Sequence, residues 1–124
     1  MFEPLEFGAY CRLINTSKVS LLLLKDLYGA TGQRDLLTIG RLGRPLVANR
    51  IESLVSYAGL DETVRFVHSG DLAATCVAIR EVLMQPALRQ SMGRALQQHV
   101  LKHHCVASVA RRWAEVLAPM LGDL

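Results

Sequence analysis

The sequence predicts an α/β domain with a small parallel sheet of three strands flanked by helices, with two further helices at the C-terminal end. Three observations carry this. Short apolar runs at residues 19–24, 46–49 and 64–67 alternate with stretches of helical periodicity, and such alternation implies parallel strands joined by right-handed helical crossovers. The stretch from Thr31 to Asn49 reads as a complete unit of glycine-bearing loop, helix, tight turn and buried strand. The chain has 124 residues, 51% of them hydrophobic, which suits one domain with a real core and argues against disorder.

Residues 4–15 form the first helix, with Pro4 in its first turn and Leu5, Ala9 and Leu13 in a stripe, joined by Tyr10 and Ile14. Asn15-Thr16-Ser17 ends it. Residues 19–24 (VSLLLL) are the first strand, since the run is short and bounded by turn residues. Residues 25–32 are a loop. Thr31-Gly32 stands where a helix begins, and Leu36, Leu37, Ile39 and Leu42 give that helix an apolar face. Gly43 fits a left-handed terminator, and Pro45 cannot continue the helix. Leu46–Asn49 begins with three apolar residues, as in a strand covered on both faces.

Residues 51–57 are a short helix, stopped by Ala58-Gly59, and residues 64–67 are the third strand. Ser69-Gly70-Asp71 starts the strongest helix signal in the chain, with Leu72, Cys76, Ile79, Val82 and Leu83 at helical spacing; Cys76 is therefore expected in the core. Pro86 forces a break at Gln85. Residues 86–103 place Leu88, Met92, Ala95, Leu96 and Val100 inward, and residues 105–121 close the chain. Val109, Trp113, Val116 and Leu117 share one face of that last helix and are expected to be buried, because exposing an aromatic of this size costs a few kcal/mol at about 25 cal/mol per Å². So small a sheet leaves an edge at residues 19–24 or 46–49, and self-association is expected to cover it.

Composition excludes several functions. The net charge of +3 is modest and spread among helices, and no basic run is interleaved with aromatics, so nucleic acid is not an expected partner. Cys11, Cys76 and Cys105 are odd in number and far apart, without a CxxC pair, which excludes a zinc knuckle or a disulfide framework and suits a reducing compartment. The N-terminus lacks a basic region followed by an apolar core, and no run is long enough to span a bilayer, so a cytoplasmic location is expected. His99 and His103 have the i, i+4 spacing of metal ligands but no carboxylate near them in sequence; a polar helix face is the expectation, with no metal and no cofactor. No Ser/His/Asp order or paired carboxylates support a hydrolase.

Tyr10, Asn15, Ser17-Lys18, the apolar run, Arg34, Gly43 and Leu46-Val47 stand in this order along the chain. That order resembles the C-terminal half of the nucleotide-sugar-binding domain of GT-B glycosyltransferases (glycosyl transferases group 1), in particular the CgeB-like group, and implies a partial Rossmann-like fold, half of a doubly wound domain. Gly43-Arg44-Pro45-Leu46 matches that family's Gly-Arg-Pro-Val turn, and Gly70-Asp71-Leu72-Ala73 a helix start. Pro86, Leu88-Arg89, Met92-Gly93 and Ala95 match a further helix, and Val109-Ala110, Arg112 and Trp113 the last one. The resemblance spans about residues 10–121 and implies a nucleotide-sugar partner, linked to UDP, GDP, ADP or TDP. The implied donor site is Thr31, Gly32, Gln33, Arg34 and Thr38, with loop amides and Arg34 on the diphosphate and Thr38 on the ribose. Two departures stand out. The family's acidic ribose-binding position falls on Thr38, and a second acidic position falls on Ala30. The chain also matches only half of one of the two domains that form the family's cleft, which implies either an absent N-terminal acceptor domain or a homo-oligomer. The alternatives are an interaction module that kept the fold and lost the donor site, and a small helical, basic regulatory protein that binds nucleic acid, against which the strand–helix alternation argues.

Overall fold

A computed structural model describes residues 5–25, 31–59 and 62–122. Its elements are α1 (Phe7–Thr16), β1 (Ser20–Leu22), α2 (Gln33–Arg41), β2 (Leu46–Asn49), α3 (Glu52–Ala58), β3 (Arg65–Val67), α4 (Leu72–Met84), α5 (Pro86–His103) and α6 (Val106–Leu121). The strands form one parallel sheet in the order β1-β2-β3, with Leu21 opposite Val47 and Ala48 opposite Phe66. The expected α/β class and three-stranded parallel sheet are present. Pro4 and residues 26–30 of the expected loop lie outside the described residues.

Strand β2 is central, and all four of its residues are buried. The two-residue period of a strand sends successive side chains to opposite faces. Leu46 and Ala48 accordingly join Ile14, Leu36, Ile39, Leu54 and Val64 in one core layer, while Val47 joins Val67, Ala78 and Val82 in the other. Helix α5 serves both layers, with Met92 in the second and Leu96 and Val100 in the first. Its inward stripe is the expected one.

Of the two places expected for a sheet edge, residues 19–24 supply one, and Leu46–Asn49 does not, because β1 and β3 flank it; β1 and β3 are the outer strands, and Leu21 of β1 is exposed. Two further expectations fail. Helix α4 buries Thr75, Ala78 and Val82, whereas Leu72, Cys76 and Leu83 are exposed. Ala73, Ala74, Val77 and Met84 make α4 apolar on most sides, so periodicity could not choose its inner face. Trp113 is 60% exposed, with Val109, Val116 and Leu117 exposed beside it, and Ser108 is the buried residue of α6. An apolar helical face shows that a cover is wanted, not that the same chain supplies it.

At the α3–α5 junction, His104 lies stacked on Tyr57 with ring centroids 4.7 Å apart, its Nε2 3.0 Å from the Tyr57 carbonyl oxygen. His99 and His103 lie 4.7 Å apart, centroid to centroid. Burial holds His99 and His104 below the ordinary histidine pKa; His103 adds to the effect on both, as do Lys102 on His99 and Arg112 on His104. The unfolded chain, titrating near pH 6.5, therefore takes up protons that the folded chain resists. The contribution is fully present above about pH 6.5 and is lost as pH falls through that value towards the lowered folded pKa values. A melting temperature that drops between pH 7.5 and 5.5, with a smaller drop in His104→Gln, is the expected result. Equal drops in both proteins would exclude His104 from the effect.

Candidate functional site

In a parallel unit the helix after a strand runs back along the sheet, so the amino end of α2 lies at the carboxyl ends of the strands. Helix α2 opens at Gly32, which has a φ of 78° and no side-chain cap. The left-handed φ favours glycine here, and a Cβ, 2.5 Å from Leu24 Cδ1 and 3.1 Å from Leu54 Cδ2, would also make those leucine side chains shift. The first amides of α2 have no partner within the helix and carry the positive end of its dipole. Helix α4, at the same end of the sheet, differs: Asp71 Oδ1 accepts from the Ala74 amide at 2.9 Å and caps it.

Both flanks of the β1–α2 connection are tied down from β2 and α3. Asn49 Nδ2 donates to the Leu24 carbonyl at 2.7 Å, and Ser53 Oγ donates to the Thr31 carbonyl at 3.1 Å. Asn49 is buried at the last position of β2. Sequence reasoning missed both residues, although one polar side chain closing an otherwise apolar strand is a usable signal.

Of the five expected site residues, Thr31 and Gly32 lead into the helix, Gln33 and Arg34 form its first turn, and Thr38 stands one turn further on the Arg34 side. Arg34 is exposed. Thr38 Oγ1 donates to the Arg34 carbonyl at 2.9 Å, so its proton is committed to its own helix and its lone pairs remain. The second matching position, Ala30, lies outside the described residues.

Asp35 and Phe7 enter the site without having been singled out. Arg34, Asp35, Leu5, Phe7 and Tyr10 line a cleft of about 350 Å³. Tyr10 Oη donates to Asp35 Oδ1 at 2.5 Å, and burial followed by the Asp35 contact pushes the phenol well above its ordinary pKa. The Asp35 carboxylate is thus engaged by α1. Arg50, next after β2, holds its guanidinium 5.7 Å from the Phe66 ring centroid. The arrangement offers backbone amides and a guanidinium for an anion, beside an aromatic wall of Phe7 and Tyr10.

Among the described residues, no group of three or more His, Cys, Asp or Glu is placed to hold a metal ion, and no helix is long and apolar enough to cross a membrane.

Comparison with known proteins finds a family model, glycosyl transferase-like, that matches residues 2–115. No curated protein and no solved structure matches. With the match covering nearly the whole chain, the chain belongs to the glycosyl transferase-like family.

Proposed function

We propose that this chain is the nucleotide-sugar-binding lobe of a GT-B, CgeB-like sugar-transfer enzyme, with the donor diphosphate at Gly32–Arg34. The observation that carries the reading is the uncapped amino end of α2, open at a left-handed glycine and followed by the exposed Arg34. A helix terminus with free amides and a guanidinium favours phosphate. Thr38 lies four residues, roughly 6 Å, along the same helix, a separation that suits a ribose attached to the diphosphate. Transfer itself requires an acceptor surface, supplied by an acceptor domain or by a second copy of the chain. The apolar face around Trp113 and the open β1 edge support such a partner.

A thermal-shift screen against UDP-, GDP-, ADP- and TDP-sugars tests the reading. Stabilisation by one donor class, rising with ligand concentration, is the expected result. No shift with any of the four would favour the second reading, an interaction module that kept the fold. That reading is supported by Thr38 standing where the family's carboxylate is expected and by the exposed face of α6.

A further inference from the structure

The opposite end of the sheet carries a second concentration of positive charge. Lys18 precedes β1, and Arg44 precedes β2, so both lie at the amino ends of the strands, away from Gly32 and Arg34. They line a cleft of about 400 Å³ together with Arg89 and Arg94 from α5. Among the described residues, no Asp or Glu lines it, and none of these four cations forms an ion pair with a carboxylate.

Two of the cations are held in place. The Arg44 guanidinium donates to the Ser17 carbonyl, and its Nε is buried without a hydrogen-bond partner. Arg89 Nη1 donates to the Val82 carbonyl at 3.2 Å and also to the Leu83 carbonyl, which closes the end of α4. The amino end of the 18-residue α5 meets the same cleft through Pro86 and Gln90, and no side chain caps it. Four like charges around one depression repel one another, and an anion that enters relieves the repulsion while meeting ordered donors.

We propose that this cleft is a phosphate-binding site, distinct from the α2 site, for a small molecule or headgroup bearing a phosphate or diphosphate. Arg44 and Arg89 form its fixed floor. Lys18 and Arg94, exposed at the rim, close on the ligand. The cleft does not depend on the donor-site reading, since it shares no residue with it.

Titration of the ¹⁵N-labelled full chain with pyrophosphate at low ionic strength separates the two sites by position. Saturable shifts are expected at the amides of Arg44, Arg89 and Gln90, and they should persist in Arg34→Ala. Lys18→Ala/Arg94→Ala should weaken this binding by about tenfold or more, because two charge-assisted contacts are lost. Lys102→Ala/Arg111→Ala removes the same charge from residues outside the cleft and should change it by less than about twofold. Vesicle flotation with and without phosphatidic acid identifies the source. Flotation lost in Lys18→Ala/Arg94→Ala assigns the site to a lipid headgroup, and pyrophosphate binding without flotation assigns it to a soluble ligand. Absence of both, or equal weakening in the two double variants, would overturn the proposal.

Discussion

Gly93→Ala is expected to destabilise the protein by about 3 kcal/mol or more, at or beyond the upper end of ordinary overpacking penalties. Helix α5 crosses the α2–β2 turn at Gly93, and a Cβ there would lie 2.2 Å from the Gly43 carbonyl oxygen and 2.9 Å from its carbonyl carbon. Both obstacles are backbone. Gly43 cannot give way, because its φ of 68° and the hydrogen bond its N–H donates to the Gly40 carbonyl fix the turn that feeds the fully buried β2. Helix α5 cannot retreat without opening the contacts of Leu96 and Val100 with Gly40. At about 4 °C per kcal/mol for a domain of this size, the melting temperature should fall by roughly 10 °C or more. Gly8→Ala is the control. Among the described residues, a Cβ at Gly8, inside α1, meets only the end of the Arg12 side chain at 3.5 Å, so alanine should be neutral or stabilising by about 0.5–1 kcal/mol. Equal melting temperatures for Gly93→Ala and the parent would show that the crossing is looser than described. The same contact gives a physical reason for the Met92-Gly93 pair that marks the resemblance.

What was legible in the sequence follows from how each signal arises. The turn at Gly43-Arg44-Pro45 and the buried strand after it were readable because a left-handed residue, a proline and a run of apolar residues are local facts. The inner face of α5 was readable because Arg, Gln and Lys occupy its outer side. The inner face of α4 was not, since a helix apolar on most sides has no phase to read, and Thr75 is buried there while Cys76 is exposed. Thr75 can sit inside because its hydroxyl donates to the Asp71 carbonyl at 2.8 Å. The exposure of Trp113 was illegible for another reason, because burial depends on what lies opposite, and among the described elements it is α5 that α6 packs against most closely. Within the candidate site, the helix start at Thr31-Gly32 was local and visible. The Asn49 and Ser53 supports, and the use of Asp35 by Tyr10, depend on pairings 22 to 25 residues apart that no spacing rule foretells.

Arg34→Ala is expected to weaken nucleotide-sugar binding by roughly ten- to a hundredfold, the loss of a charge-assisted contact of about 1.5–3 kcal/mol. Arg34→Lys should lose less, because it keeps the charge and gives up only the planar fork. Stability should hardly change in either variant, because Arg34 is exposed and its backbone carbonyl, which accepts from Thr38, is retained. A fall in affinity without a fall in melting temperature therefore separates ligand contact from folding. Parent affinity should be poor, because Thr38 replaces a carboxylate and its hydroxyl proton is already committed to the Arg34 carbonyl. Asp35 does not make up the difference while its carboxylate accepts from Tyr10. Thr38→Glu restores an acidic acceptor one turn from Arg34, on the helix that would hold the ribose, and should tighten binding. Calorimetry with the donor class chosen by the thermal-shift screen measures all three variants. Tighter binding by Thr38→Glu together with weaker binding by Arg34→Ala would place the ribose and the diphosphate on the two turns of α2. No heat from either the parent or Thr38→Glu would refute the donor site, leaving the exposed face of α6 and its partner as the function to pursue.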